Sequence, residues 1–338
     1  MNILVTRLSA LGDVAMMIPV VSSVAQRYPE HDFTVVSMPL VAPLFQGLPN
    51  VHFVPFEKKG KHKGFDGIIR LHKELHKKKI DFIIDLHDVL RTKLLRMLMR
   101  VSGAKVKVID KGRPEKKALV ERGFRQSEQL ISSVERYRAV FASIGLTIGT
   151  INTALPFETL SSPIAIKQAF GVKHGKCIGI APFSQHIGKQ LPFNKIEIVI
   201  DYFYRQSGTS VFLFGAGKKE QEQIEKWQQR FPKIFSVVNR FPLDIEVLLM
   251  KQLDVILTMD SGNMHLASLV GTPAVSIWGA THPFAGFYGL NQRYDNAIQV
   301  DLACRPCSIF GNLPCRFKTY QCLNDIDPKT IVEKMATL

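Results

Sequence analysis

The sequence predicts an α/β protein of two doubly wound parallel-sheet domains that face a common cleft. Three observations predict this fold: the length of 338 residues, the alternation of short apolar runs with helical stretches, and a break in that alternation near the middle of the chain. Domains average about 150 residues, so this length corresponds to two of them. Short apolar runs that alternate with helices are typical of parallel strands buried on both faces.

The first half begins with a strand, a loop and a helix. Residues 3–5 are apolar, residues 8–13 (LSALGD) form a predicted turn, and residues 14–27 have helical spacing. The alternation continues with predicted strands at 33–36, 51–54, 82–85 and 106–109 and helices at 68–78 and 92–101. One long amphipathic helix is predicted over residues 127–144.

A stretch rich in Pro, Ser and Thr, ending at Pro163, is the predicted linker. Beyond it the predicted strands are 177–180, 210–214, 255–257 and 274–277, and the predicted helices are 195–206, 219–229, 245–252 and 264–270. We therefore expect an amino-terminal domain at 1–158, a carboxyl-terminal domain at 159–325, and a final helix at 326–338 that packs back on the first domain. Ligands of such sheets bind beyond the carboxyl ends of the strands.

Composition indicates a cytoplasmic protein. No apolar run reaches the roughly 18 residues of a membrane span. Residues 1–7 are too short, and too soon interrupted by Arg7, for a signal sequence. The five cysteines all lie in the second half and do not resemble a disulfide framework, so we expect a reducing compartment.

Positive charge is concentrated in one region. Residues 51–125 contain 21 Lys and Arg against 9 Asp and Glu, so this region alone has a net charge of +12. The whole chain has a net charge of +15. Such a region attracts anionic lipid headgroups, phosphorylated glycolipids or nucleic acid, and an ordinary solvated basic face explains it equally well. We do not expect a nucleic-acid partner, because the sequence has no aromatic interleaving and no recognition-helix pattern.

The segment 258–267 (TMDSGNMHLA) joins an apolar strand to a helix. The Ser261-Gly262 pair lets backbone N–H groups approach an anion, and the helix N-terminus adds about half a positive charge, which suits a nucleotide diphosphate. Asp260 is placed to accept hydrogen bonds from sugar hydroxyls, and His265 can face the same anion. An N-cap at Asp260 or Ser261 and a packing role for His265 are the alternatives.

A further cation follows the strand at 177–180. Lys189 on a glycine-containing loop is a candidate phosphate ligand, with the Ser184 hydroxyl as another donor, although a solvated lysine is the simpler interpretation. The strand-to-helix turn at 214–220 has two glycines but lacks the third glycine of a dinucleotide fingerprint, which disfavours a dehydrogenase. Glu220 in this turn either binds ribose hydroxyls or complements the helix dipole.

Asp13 lies where the opening loop enters its helix, and we expect its side chain to point into the cleft. A carboxylate there can deprotonate an acceptor hydroxyl as a general base, and a helix N-cap is the alternative.

Two patterns raise the question of a metal. The CxxC pair Cys304 and Cys307 is typical of half a zinc knuckle, but the second pair, Cys315 and Cys322, is irregularly spaced. A structural zinc site and free thiols are therefore both left as interpretations. Residues 325–327 (DID) match the D-x-D of metal-dependent sugar transferases. Pro328 follows directly, so Asp327 is better interpreted as a helix cap.

These segments in order resemble the heptosyltransferase family of lipopolysaccharide core synthesis, glycosyltransferase family nine. The most specific matches are residues 7–14 (RLSALGDV) and 260–267 (DSGNMHLA), and the resemblance extends over residues 84–87, 134–137, 271–273 and 278–281. The resemblance implies a GT-B fold of two Rossmann-like domains, an inverting and metal-independent mechanism, no cofactor, and ADP-heptose as the usual donor.

The same resemblance implies roles for single residues. Asp13 would be the general base, and Lys189 with the backbone at Ser261 and Gly262 would hold the diphosphate. Asp260 and His265 would lie at the donor sugar or phosphates, and Glu220 near the ribose. The chain departs from the family at Ala15, where many members have histidine, and at residues 239–243, which lack a Gly-Lys-Thr near the base. These departures leave the acceptor and the nucleotide base open.

The sequence thus indicates a glycosyltransferase, peripheral on the inner membrane, that moves a sugar from a nucleotide diphosphate to a lipopolysaccharide-type glycolipid. The basic region would dock the anionic glycolipid at the membrane surface without inserting. A nucleotide-sugar epimerase of the same fold and a non-catalytic sugar-nucleotide-binding protein are the alternatives, and the oligomeric state is open.

Overall fold

A computed structural model of the protein describes residues 1–151 and 175–338, which divide into two compact units. Unit 1 contains residues 1–111 and 133–151, and unit 2 contains residues 112–132 and 175–338. Both are α/β units with a wholly parallel sheet, which confirms the predicted fold class. The predicted linker falls mostly outside the described residues.

Unit 1 has a five-stranded sheet in the order β3-β2-β1-β4-β5. Its strands are β1 (Asn2–Thr6), β2 (Asp32–Ser37), β3 (Val51–Pro55), β4 (Phe82–Asp85) and β5 (Lys105–Val108). Its helices are α1 (Leu11–Arg27), α2 (Gly64–His76), α3 (Leu90–Val101) and α5 (Ser133–Ala142), while α4 (Arg113–Arg122) belongs to unit 2. The predicted strands and the first three predicted helices are therefore present.

Apolar side chains of the central strands form the core of unit 1. Leu4 of β1 and Ile83 of β4 pair in register and are fully buried with Leu71 of α2. Thr6 is paired with Asp85 at the carboxyl ends of β1 and β4. The segments after these two strands are therefore neighbours, with Asp13 in the first turn of the helix after β1 and His87 in the loop after β4.

Unit 2 has a six-stranded sheet in the order β11-β10-β9-β6-β7-β8. Its strands are β6 (Lys176–Ala181), β7 (Thr209–Leu213), β8 (Phe235–Ser236), β9 (Val255–Met259), β10 (Ala274–Trp278) and β11 (Ala297–Gln299). Besides α4, its helices are α6 (Phe193–Arg205), α7 (Gly217–Arg230), α8 (Leu243–Lys251), α9 (Gly262–Leu269), α10 (Gln321–Asn324) and α11 (Pro328–Ala336). The loops after β6, β7, β9 and β10 all lie at the carboxyl edge of this sheet.

Residues 112–132 pack on unit 2, although the sequence placed them in the first domain. Lys116 lies 4.3 Å from the centre of the Phe287 ring, and Phe124 stacks on His282 with ring centres 4.4 Å apart. Arg125 forms an ion pair of 2.8 Å with Asp301. The boundary prediction was wrong here because these contacts join positions far apart in the sequence.

The prediction of a single helix over residues 127–144 was also wrong. The helix begins only at Ser133 and ends at Ala142. Upstream of it, the backbone N–H of Leu130 donates to the carbonyl of Phe284 at 2.9 Å. That backbone group is thus satisfied by unit 2 and not by a helical turn.

The carboxyl-terminal helix α11 belongs to unit 2, and its packing back on the first domain stays a prediction. Ile331 and Met335 are fully buried in the unit 2 core, with Ile196 and Val199 of α6 in the same cluster. The apolar face of α11 is therefore covered by the unit from which it emerges.

Within the described ranges, none of the helices combines the length and the apolar character needed to cross a membrane.

Candidate active site

Lys189 and Asp260, on different loops of unit 2, form an ion pair. Lys189 Nζ lies 3.0 Å from Asp260 Oδ2, and the Thr281 hydroxyl donates to the same oxygen at 2.8 Å. Asp260 is only 5% exposed. The pair lies at the carboxyl ends of β6 and β9, neighbouring strands of the sheet. Lys189 is therefore not the solvated loop lysine that was the simpler interpretation.

The loop that carries Lys189 is fixed by close backbone contacts. The carbonyl of Gly188 accepts a hydrogen bond of 2.7 Å from the N–H of Ala280. A Cβ on Gly188 would lie 2.9 Å from the Ala280 Cβ, so glycine is needed for this approach. Gly311 lies against the alkyl chain of Lys189, since a Cβ there would come within 2.6 Å of its Cγ. Both the loop backbone and the alkyl chain of Lys189 are thus closely packed.

Ser261 occupies the N-cap position of α9 without capping it. Its backbone is extended, with φ of −148°, and its side chain makes no cap hydrogen bond. Within the described residues the buried Ser261 Oγ has no hydrogen-bond partner. The first N–H groups of a helix also lack partners inside the helix. A buried hydroxyl beside such N–H groups forms a site suited to an anion.

Asp260 is not an N-cap either, because its side chain binds Lys189 and Thr281. His265 is buried in α9, four residues after Ser261 and therefore about one helical turn away. The structure thus places four of the predicted donor-side positions, Asp260, Ser261, Gly262 and Lys189, at one edge of unit 2.

Glu220 and Ser184 lie at neighbouring loops of that edge. Glu220 Oε2 accepts a hydrogen bond of 2.7 Å from the N–H of Ala216, so the carboxylate stabilises the start of its own helix, and burial raises its pKa. Glu220 and Phe183 both adjoin Gly215, which brings the α7 turn beside the loop of Ser184. The Ser184 N–H donates to Gln190 Oε1 at 2.9 Å, which fixes the loop backbone.

Asp13 lies in the first turn of α1, and its carboxylate forms an ion pair with Arg7. The N–H of Ala10 donates to Asp13 Oδ2 at 3.3 Å. Ala10 is the N-cap residue, so Asp13 is not. With 26% of its side chain exposed, Asp13 presents a solvent-accessible carboxylate at the carboxyl edge of the unit 1 sheet.

Arg7 and His87 are polar neighbours of Asp13 that sequence reasoning did not single out. The Arg7 guanidinium donates to the carbonyl of Leu86 at 2.7 Å, and His87 Nδ1 accepts from the N–H of Leu8 at 3.3 Å. The pKa of His87 is lowered to about 3, first by burial and then by the positive charges of Arg7 and Lys111. Arg7 directly follows β1 and His87 is the second residue after the adjacent strand β4, which was the available signal.

His87 should therefore make unit 1 sensitive to acid. In the folded protein His87 has a pKa of about 3 and stays neutral, whereas in the unfolded chain it binds a proton below about pH 6.5. The free energy of unfolding therefore falls as the pH drops from about 6.5 towards 3. His87→Gln should flatten the decline by up to about 1.4 kcal/mol per pH unit. Urea unfolding followed by circular dichroism between about pH 4 and 6.5 tests this, with the exposed His52→Gln as control. Equal slopes in wild type and His87→Gln would refute the assignment.

Residues 68–316 match the family model for glycosyltransferase family 9, the heptosyltransferases. The chain belongs to this family. It is therefore a glycosyltransferase, as the resemblance of its motifs implied. The matched range includes every predicted donor-side residue, whereas Asp13 lies outside it.

Relatives and solved structures of family 9 align over most of the chain. The chain is 24% identical over 300 residues to the lipopolysaccharide core heptosyltransferase OpsX of Haemophilus influenzae, covering 83% of this chain and 80% of that protein. It is 23% identical to lipooligosaccharide heptosyltransferase 2 of Campylobacter jejuni, covering 97% and 95%.

Two structures show the shared fold. A family 9 glycosyltransferase of Veillonella parvula has a TM-score of 0.76 at 20% identity, covering 99% of this chain and 96% of that one. The Escherichia coli ADP-heptose lipopolysaccharide heptosyltransferase II has a TM-score of 0.69 at 20% identity, covering 100% and 98%.

The two sequence patterns that raised the question of a metal, the D-x-D and the cysteine pairs, have different surroundings in the structure. The Asp327 carboxylate accepts from the N–H of Lys329 at 2.9 Å and caps α11, as predicted. The four clustered cysteines line a cavity of about 70 Å³ as free thiols. In the part of the chain that the structure describes, no group of three or more His, Cys, Asp and Glu side chains is arranged to hold a metal ion.

Proposed function

We propose that this enzyme transfers a heptose from ADP-heptose to a lipopolysaccharide-type glycolipid, with inversion at the anomeric carbon and without a metal ion. Unit 2 binds the donor and unit 1 supplies the general base. The observation that supports the donor site best is the meeting of Lys189, Asp260 and the uncapped start of α9 at one sheet edge.

The donor diphosphate fits this edge by charge and by hydrogen bonding. Lys189 supplies a positive charge, Ser261 supplies a hydroxyl without a partner among the described residues, and the first N–H groups of α9 supply donors that have no acceptor inside the helix. Asp260 holds the lysine in place, and it presents a carboxylate that can accept hydrogen bonds from donor hydroxyls. Glu220 follows β7, the strand next to β6, and we assign it to the donor ribose.

The transfer is a single displacement. The acceptor oxygen attacks the anomeric carbon as its proton passes to the Asp13 carboxylate, and the bond between that carbon and the diphosphate oxygen breaks. ADP leaves with the electron pair, and Lys189 with the α9 N-terminus stabilises the added negative charge. Arg7 holds Asp13 in position before the reaction. In this scheme the protein supplies the positive charge at the leaving group, so the reaction requires no metal ion.

The names of related proteins support the choice of sugar, nucleotide and acceptor. Structures in this family include an Escherichia coli ADP-heptose lipopolysaccharide heptosyltransferase and a heptosyltransferase with bound ADP. The basic region at residues 51–125 suits an acceptor with anionic groups at the cytoplasmic side of the inner membrane.

Release of ADP from ADP-heptose in the presence and absence of heptose-deficient lipopolysaccharide tests this function. We expect release that depends on the acceptor, a product with one added heptose, and an unchanged rate with EDTA. Release without acceptor, or a rate that EDTA abolishes, would contradict the proposal.

The same assay separates an epimerase, which is the alternative that the fold favours. UDP-GlcNAc 2-epimerase of Neisseria meningitidis has a TM-score of 0.50 with this chain at 16% identity, covering 100% and 98%. An epimerase would alter the free nucleotide sugar without adding it to a lipid. A non-catalytic binding protein would retain the nucleotide sugar unchanged.

A further inference from the structure

Unit 1 has an exposed apolar groove between the first turns of α2 and α3. The groove has a volume of about 610 Å³, and its apolar lining includes Phe65, Ile68, Leu90 and Leu94. Leu90 is 83% exposed and Phe65 is 61% exposed. Single exposed apolar residues are ordinary, but two large ones at the rim of an apolar groove mark an interaction surface.

The groove lies at the carboxyl edge of the unit 1 sheet. Helix α2 follows β3 and helix α3 follows β4, so both helices start at the edge where these parallel strands end. Helix α1 starts at the same edge with Asp13 in its first turn. The groove and the proposed base are therefore on one side of unit 1.

Exposed basic side chains lie in the same chain segments as the apolar rim, and Arg91 lines the groove itself. The loop before α2 carries Lys58, Lys59 and Lys63, and the first turn of α3 carries Arg91 and Lys93; all five are exposed. A surface with apolar side chains at its tip and basic side chains around it complements an anionic bilayer, in which headgroups face the charges and acyl chains lie just beneath. The exposed Asp66 lies beside Phe65 and Lys93 pairs with Asp88, so the remaining basic residues leave the surface net positive, which favours an anionic occupant.

We propose that this docking surface, formed by Phe65, Leu90 and the five basic residues, binds an anionic phospholipid bilayer and inserts Phe65 and Leu90 into the boundary between headgroups and acyl chains. The inference rests on the proposed function, because it brings the base-bearing edge of unit 1 to the membrane that holds the glycolipid. It replaces the sequence-based expectation of docking without insertion.

Sedimentation with phosphatidylcholine vesicles, with and without phosphatidylglycerol, tests the docking surface. Wild type should bind the anionic vesicles, and binding should weaken but persist between about 0.1 and 1 M salt, because screening acts on the charges and not on the apolar contact. Phe65→Ser/Leu90→Ser should lower the partition coefficient roughly 10- to 100-fold at both salt concentrations. Lys58→Ala/Lys59→Ala should lower it only at low salt.

Ile198→Ser is the matched control, because Ile198 is 54% exposed on α6 of unit 2 and should not affect vesicle binding. Equal sedimentation of wild type and the double-serine variant would overturn the proposal, as would complete loss of wild-type binding at high salt. A concentration-dependent dimer that the double-serine variant abolishes would assign the surface to self-association instead.

Activity on a deacylated, water-soluble acceptor separates this inference from the proposed function. The double-serine variant should keep the wild-type rate on that acceptor and lose rate only on acceptor embedded in vesicles. If wild type bound vesicles but transferred no heptose to either acceptor, the proposed function would fail while the docking surface stood.

Discussion

Asp13→Asn should lower kcat by about 10²- to 10⁴-fold, the range for loss of a general base. The amide keeps the size of the side chain and can still accept the hydrogen bond from the N–H of Ala10. What it loses is the ability to take the proton from the acceptor hydroxyl. Donor affinity should change less than about twofold, because the donor contacts are assigned to unit 2. Steady-state ADP release with saturating donor measures this directly.

Two controls make the Asp13 result specific. Asp32→Asn removes a carboxylate of the same unit that is 60% exposed, and its kcat should be that of wild type. Because Asp13→Asn leaves the buried Arg7 without its carboxylate partner, thermal unfolding of the variant must be compared with wild type. A folded Asp13→Asn enzyme with the wild-type kcat would remove Asp13 from the mechanism.

Lys189→Met should weaken donor binding about 10- to 100-fold, which corresponds to the loss of one charge-assisted interaction with the diphosphate. The variant should also be less stable, because Asp260 would remain buried without its cation. Isothermal titration with ADP gives the affinity, and thermal unfolding gives the stability. The exposed Lys226→Met on α7 is the matched control and should leave both quantities unchanged.

The double variant Lys189→Met/Asp260→Asn separates the two effects. Removing both charges should restore part of the lost stability, because no unpaired buried carboxylate remains. Affinity for ADP should stay low, since the cation is still missing. Recovery of ADP affinity in the double variant would show that Lys189 serves only to neutralise Asp260.

Most of the sheet architecture was predictable because each central strand is a short, nearly continuous apolar run. The run at Val255–Met259, for example, is buried throughout, as expected for a strand covered on both faces. The short edge strands β8 and β11 were missed, because two or three residues carry no usable periodicity. The packing of residues 112–132 on unit 2 was missed because the contacts that hold it join positions far apart in the sequence.

The residues of the candidate site were predictable from the sequence, but the ion pairs and hydrogen bonds between them were not. Asp260, Ser261 and Lys189 were identified because each follows a predicted strand, and such positions converge at one edge of a parallel sheet. The ion pair Lys189–Asp260 depends on how separate loops fold against each other, and the pair Arg7–Asp13 depends on how the β1–α1 connection turns. Thr281, which donates to Asp260, was part of a quoted motif but had no assigned role for the same reason.

Hydrogen exchange of the backbone with and without ADP tests the central claim most directly, since it reports where the nucleotide diphosphate binds. We expect slower exchange in peptides that contain residues 186–191 and 260–265, with no change in residues 7–13. The N–H groups at the start of α9 should be protected because they donate to phosphate oxygens. Protection confined to unit 1, or unchanged exchange at the start of α9 with saturating ADP, would contradict the account.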